Sequence, residues 1–443
     1  MTGSGWQGIA DRVPRRLWHQ NLSLLRDKRL HRMLALAGHE LRFGLPKPGD
    51  GVLVWGHSPT AWRGETLARR HNLPLIRVED AFLRSIHPGR FRGEAPLGLL
   101  VDPVGMHFNA AGPSLLEQVL QSPDVQNSNI RDRAKAAISR IHEVDLSKYN
   151  NFDPDCPAPD PGYVLVIDQT RDDAAIRHAG ASAASFPAML AAAHTAFPDR
   201  KILIRTHPET RMGLRPGHFG PADTDAQVSL LTDPISPNRL LAGAAAVFTV
   251  SSQLGFEAIL HGHRPHVFGQ PFYAGWGLTQ DEQPLPRRHA ILTPEALFAG
   301  AMILAPLWYD PCRDRLCDLE TVIDQLEAET RAFREDRKGH VAAGMRLWKR
   351  GRLQDFFGQT KAVHFCDDPQ KADRIAKATG KSLLIWAGRE PAGFTPASPC
   401  LRVEDGFLRS RGLGAELVPP LSLVTDHQGI YYDSSRPSRL DTQ

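Results

Sequence analysis

The 443-residue chain is 42% hydrophobic and 23% charged, with a net charge of +4, a globular composition too long for one ordinary core. No apolar run approaches the roughly 20 residues of a membrane-spanning helix, and the N-terminal stretch lacks the apolar centre of a secretory signal. Five scattered cysteines suggest neither a disulfide framework nor a zinc site, and dispersed arginines suit an anionic small substrate or a membrane surface better than nucleic acid.

Residues 1–45 carry apolar side chains at helical spacing and are expected to be helical, ended by Gly44 and Pro46. Residues 52–55 read as a buried strand, 60–71 as a helix and 75–78 as a second strand, and the apolar run LGLLVD ends at Asp102. This alternation predicts βαβ units and a parallel sheet. The Pro-, Asp- and Asn-rich stretch 145–162 marks a domain boundary. Beyond it come a strand at 163–168, a helix at 181–197 and strands at 201–208 and 244–250. A helix then opens at Ser251-Ser252, and a short strand follows at 265–269. Two α/β domains, 1–150 and 151–330, predict a ligand in the cleft between them, and 315–350 reads as charged and helical.

A repeat follows. IRVEDAFLRS (76–85) and LRVEDGFLRS (401–410) agree at eight of ten positions. VWG (54–56) and LGLLVDPVGMHFN (97–109) around the first copy are answered by IWAG (385–388) and PLSLVTDHQGIYYD (420–433) around the second. Three landmarks in one order predict a helical linker over 331–360 and a partial copy of the first domain over 361–443.

Four motifs carry chemistry. In RTHPE (205–209), His207 follows a strand end and can donate to a phosphate oxygen of a leaving nucleotide. In VFTVSSQLGFEAIL (247–260), Ser251 or Ser252 is a natural N-cap beside an anion-attracting helix end, and Glu257 is placed to reach a ribose. In GQPFYAGWGLTQD (269–281), glycines including Gly275 let backbone approach a ligand, and Tyr273 and Trp276 could stack on a base or sugar. In IDQTRDDAAI (167–176), Asp168, Asp172 and Asp173 sit at a strand-to-helix junction, where one could cap the helix while another attacks an anomeric carbon. Glu79 and Asp80 end a strand on the opposite wall, completing the carboxylates that double displacement needs.

VEDxFLRS, DQTRDDA, RTHPE, SSQLGFEAI and QPFYAGWGLT together resemble the capsule polysaccharide β-Kdo transferases, over roughly residues 30–330 and again over 337–440. The HP and Ser-Ser pairs are also similar to CMP-binding signatures of bacterial sialyltransferases. The resemblance implies a GT-B-like pair of Rossmann-type domains, no metal or other cofactor, and CMP-Kdo as the donor substrate. It further implies retention through a carboxylate adduct and a lipid-linked Kdo acceptor at the inner face of the cytoplasmic membrane, with the protein peripheral there. On this reading His207 and Pro208 meet the CMP phosphate, Ser251 and Ser252 hold it, and Glu257 lies near the ribose. Asp173 is the first choice of nucleophile and Asp168 the second, with Glu79 and Asp80 as acid/base groups. Gln169 joins the substrate-binding set, and Gln270, Tyr273, Gly275, Trp276 and Arg287 or Arg288 serve the Kdo carboxylate or the acceptor. Family members usually carry two full modules. The second here has no HP, Ser-Ser or QPFYAGWGLT equivalent, which predicts a catalytically incomplete copy. A scaffold docking other capsule biosynthesis and export proteins, or a transferase of another CMP-sugar such as sialic acid, are the alternatives.

Overall fold

Strands such as GVLVW and YVLVI are buried at nearly every position, the signature of a sheet covered on both faces. The computed structural model describes residues 9, 11–91, 94–411 and 418–442, in two units, Met1–Thr330 and Arg331–Gln443. No helix among the described residues is long and apolar enough to cross a membrane.

The first unit opens with β1 (Arg16–His19), α1 (Lys28–Leu36), β2 (Glu40–Phe43), β3 (Gly51–Trp55), α2 (Ala61–His71), β4 (Leu75–Asp80) and β5 (Gly98–Asp102). Then come α3 (Leu115–Leu120), α4 (Ser128–Glu143), β6 (Tyr163–Ile167), α5 (Ala174–His178), α6 (Ser185–Ala196), β7 (Ile202–Arg205) and α7 (Pro208–Arg211). It continues with β8 (Val228–Leu231), α8 (Pro237–Gly243), β9 (Ala244–Thr249), α9 (Leu254–Leu260), β10 (His266–Val267) and β11 (Gln280–Asp281). It closes with α10 (Pro294–Phe298), β12 (Pro306–Asp310) and β13 (Arg315–Cys317), and α11 (Leu319–Asp336) runs across the division between the units.

Two sheets result. The first has the order β13-β12-β5-β4-β3-β1-β2 and the second β11-β10-β9-β6-β7-β8. All pairings in the second sheet are parallel, as expected of βαβ units. The first sheet corrects the expectation of a parallel sheet, because β5 lies antiparallel to both β4 and β12. The β4–β5 connection contains no crossover helix among its described residues, and the chain turns back to pair antiparallel. A second correction concerns residues 1–45. Of these, residues 1–8 and 10 lie outside the described residues, and the remainder contains β1 and β2 as well as α1. The apolar spacing of α1 is genuine, with Leu30, Met33 and Leu34 buried, but it spans only nine residues. The first sheet is completed by β12 and β13, so the chain returns from the second half to the first.

The second unit contains β14 (His340–Ala343), α12 (Leu347–Phe357), β15 (His364–Phe365), α13 (Pro369–Thr379), β16 (Ser382–Trp386), β17 (Cys400–Asp405) and β18 (Leu423–Asp426). Its sheet order is β15-β14-β16-β17-β18, with only β17 and β18 antiparallel. This matches β2-β1-β3-β4-β5 of the first sheet strand for strand in order and direction. The stretch 331–360, expected as a helical linker, holds the end of α11 and all of α12, but between them it supplies β14, an interior strand whose four residues are all buried.

Candidate active site

The C-terminal ends of the strands in the first unit's two sheets face a shared cavity of about 1120 Å³. The first half contributes Trp55, Glu79, Asp80, Phe82 and His107, the second contributes Gln169, Asp172, Asp173, Arg205, His207, Pro208, Ser251, Ser252 and Glu257, and the connection between them contributes Ser147, Lys148 and Tyr149. Each half thus delivers side chains from turns that follow buried strands, where open α/β sheets bind ligands.

Glu79 is the penultimate residue of β4 and accepts from Trp55 Nε1 at 3.2 Å. Burial, reinforced by the neighbouring Asp80 charge, pushes its carboxyl up to about 7, so it can exchange a proton near neutrality. Asp80 accepts from Arg84 Nε, leaving its buried Oδ1 without a hydrogen bond among the described residues. On the other wall Asp173 is the N-cap of α5, its Oδ1 accepting from Ala175 N–H at 3.0 Å. The cap fixes the carboxylate's orientation and leaves Oδ2 outside it.

His207 caps α7 with its ring, Nδ1 accepting from Glu209 N–H at 3.1 Å. That bond assigns the proton to Nε2. Burial, with Arg205, Lys148 and Arg215 nearby, pulls the imidazole down to about 3, so the ring is a neutral donor throughout the physiological range. Ser251 is held by Gln169, whose Oε1 accepts from Ser251 N–H at 2.9 Å and whose Nε2 donates to Oγ at 3.1 Å. The expected Ser-Ser cap is shifted. α9 begins at Leu254 with Gln253 at the N-cap, and Ser252 Oγ accepts from Leu254 N–H at 3.3 Å. Glu257 accepts from Ser147 Oγ at 2.7 Å and from the Lys148 backbone N–H, tying the inter-half connection to α9.

Other expected site residues lie elsewhere. Asp168, the second choice of nucleophile, is 2% exposed and does not line the cavity. Its carboxylate accepts from the backbone of Gln169 (2.8 Å) and His218 (3.0 Å), an anchor for the 216–219 turn rather than an attacking group. Tyr273 and Trp276 are fully buried, donating to Ser252 O at 2.6 Å and Phe272 O at 2.7 Å, so neither is open to stack on a ligand. Gly275 has φ +83, and its N–H donates to Asp281 at 2.9 Å. Gln270 donates to the carbonyls of Gln283 and Pro284. Arg287 and Arg288 both grip Glu117 of α3, at 2.6 and 2.8 Å, and so clamp the halves together outside the cavity.

Two groups that the sequence reading passed over are central. Lys148 lines the cavity. Burial works against its charge, but Tyr149, Asp80, Glu79 and Asp173 together raise its pKa, and its ammonium forms no ion pair among the described residues. Arg205, the first letter of RTHPE, is brought down to about 10 by burial and stays protonated at neutral pH. Together with Arg90 and Arg215 they line one cavity with cations, as an anionic ligand requires. Lys148 was hidden in a Pro- and Asp-rich boundary, within the string SKYN (147–150).

The sequence profile of the capsule polysaccharide biosynthesis proteins matches residues 50–307 and 397–443. The capsule polysaccharide modification protein LipA of Neisseria meningitidis serogroup B is 36% identical over 412 residues, covering 89% of this chain and 58% of LipA. The lipopolysaccharide-processing protein LpsZ of Rhizobium meliloti is 34% identical over 285 residues, covering 63% of this chain and 64% of LpsZ. This chain therefore spans about three-fifths of the length of these relatives. Among solved structures, the β-Kdo 2,4 transferase of Thermosulfurimonas dismutans KpsC superposes with a TM-score of 0.66 at 32% identity, covering 71% of this chain and 98% of that one. The β-Kdo 2,7 transferase of the same protein shares the fold at 23% identity, with a TM-score of 0.55. Both likenesses place the chain among GT-B-like α/β folds.

Proposed function

Because the chain belongs to the capsule polysaccharide biosynthesis family, we propose that its first unit is a retaining glycosyltransferase moving Kdo from CMP-Kdo onto a lipid-linked Kdo acceptor. The observation that carries this reading is the single cavity in which His207, Ser251, Ser252 and Arg205 oppose Glu79 and Asp80, with Asp173 and Lys148 beside them.

His207 Nε2–H and the Ser251–Ser252 turn receive the CMP phosphate, and Arg205 and Lys148 balance the combined charge of phosphate and sugar carboxylate. An Asp173 oxygen attacks the anomeric carbon, the bond from that carbon to the phosphate oxygen breaks, and CMP leaves with the electron pair. An acceptor hydroxyl then displaces Asp173 from the same carbon while Glu79 takes the hydroxyl proton. Two inversions leave the configuration unchanged. The neutral His207 suits this task, since it donates to the phosphate at every pH where Glu79 can be ionised.

The test is transfer by purified chain given CMP-Kdo and a Kdo-terminated lipid acceptor. CMP release with a retained anomeric configuration is expected, and no CMP release would overturn the reading. Asp173→Asn is expected to abolish transfer and keep CMP binding; loss of both would make Asp173 a cap and nothing more. Trapping a sugar adduct on Asp173 by intact-mass spectrometry in Glu79→Gln would identify the nucleophile directly.

A further inference from the structure

β1 and β2 run side by side with His19 opposite Phe43, and the loops that leave them stay strapped together. Gln20 Nε2 donates to Gly44 O at 2.5 Å, and Asn21 Nδ2 donates to Thr60 Oγ1 at 3.0 Å, joining both loops to the start of α2. Residues 20–26, 42–47 and 58–63 thus form one rim, and Ser58, Pro59, Ala61 and Trp62 of that rim also line the cavity.

Among the described residues of the first unit, seven large apolar side chains are exposed, and five of them stand on this rim. Leu22, Leu25, Phe43, Leu45 and Trp62 are between 44% and 68% exposed. Singly exposed apolar residues need no explanation, but such a concentration on one edge does. The same three segments carry Arg26, Arg42, Lys47 and Arg63 and no carboxylate. Arg42 pairs with Glu40, whereas Arg26, Lys47 and Arg63 form no ion pair among the described residues.

We infer that this rim is a docking surface for an anionic lipid bilayer. Apolar side chains enter the boundary between headgroups and acyl chains, and the interspersed cations meet lipid phosphates. Charge complementarity favours a bilayer over a protein partner, whose interface core would be depleted of charge and of lysine in particular. Continuity with the cavity gives the surface a purpose. A lipid-linked acceptor could present its sugar end to the active site while its acyl chains stay in the membrane; this last step alone rests on the proposed transferase reading.

The test is flotation of the purified full chain with vesicles of phosphatidylglycerol and phosphatidylcholine, or of phosphatidylcholine alone, without any substrate. The chain is expected to float with the anionic vesicles and to be released by salt. The Leu22→Ser/Phe43→Ser/Leu45→Ser and Arg26→Glu/Lys47→Glu variants are each expected to bind at least about tenfold more weakly. Both should keep CMP binding, and Ile291→Ser, at an exposed apolar residue off the rim, should float like the parent chain. Parent chain that ignores anionic vesicles, or rim variants that float as well as it does, would overturn the inference, the former pointing to a protein partner. A parent chain that floats yet binds no CMP would count against the transferase reading and leave the membrane surface standing.

Discussion

At the end of β4, Asp80 accepts from Arg84 Nε, and Arg84 Nη1 donates to Ser85 Oγ at 2.8 Å. At the end of β17, Asp405 accepts from Arg409 Nε, and Arg409 Nη1 donates to Ser410 Oγ at 2.8 Å. The ten-residue strings thus fold to one constellation within sheets that share the strand order of five strands. Their surroundings differ. Phe82 is 4% exposed and stacks on Phe272 at 4.4 Å, whereas Phe407 is 70% exposed. Glu79 is driven to about 7 inside the cavity, while Glu404 accepts from the Tyr432 hydroxyl at 3.3 Å and from Asp405 N–H at 3.1 Å. The strand and its turn specify the geometry. The second α/β half, by covering that turn, supplies the burial that raises Glu79.

The most drastic way to break this comparison is Glu79→Gln against Glu404→Gln. The first is expected to lower transfer roughly 10²–10⁴-fold, as for a lost acid/base group, and the second to leave it unchanged in a CMP-release assay. Next, Phe82→Ala should cost about 3–5 kcal/mol in urea unfolding, and Phe407→Ala less than about 0.5 kcal/mol. Equal losses would show that the second turn is covered as well.

A smaller effect sharpens the one difference between the strings. Ala81 N–H donates to Gly98 O, and Gly406 N–H donates to Ser422 O, so the small residue has changed strands. A Cβ on Gly406 would lie 2.3 Å from Ser422 Oγ. Gly406→Ala is therefore expected to destabilise the second unit by about 1–3 kcal/mol, and Ser422→Gly to restore it.

The gentlest test is pH. Glu79 must be ionised to take a proton, so activity should fall as pH drops through about 7, with no limb from His207, which is already neutral there. The stability sign is opposite. A carboxyl whose folded pKa is raised holds a proton that the unfolded chain has released, so its stabilising contribution is lost as pH rises from the ordinary carboxylate range through about 7. Glu79→Gln should remove that dependence in thermal melts at several pH values.

Much of this was legible in the sequence. Consecutive apolar runs located β3, β4, β6, β7 and β9 to within a few residues, because burial on both faces leaves a local trace. The His-Pro and Ser-Ser turns followed from the strand ends. What failed was long-range. Arg287 and Arg288 looked like free cations because Glu117 lies some 170 residues away, and Tyr273 and Trp276 looked like a stacking platform because nothing local distinguishes a core aromatic from an exposed one. Lys148 was missed because loop composition identifies a linker without revealing that a folded neighbour makes it a wall.

The return of the chain to complete the first sheet with β12 and β13 has a mechanical result. Two covalent connections join the halves, one between β5 and β6 and one between β11 and β12. A body held at two points can swing about the line through them but can neither swivel freely nor drift away. The halves therefore stay joined through one connection if a proteolytic nick severs the other.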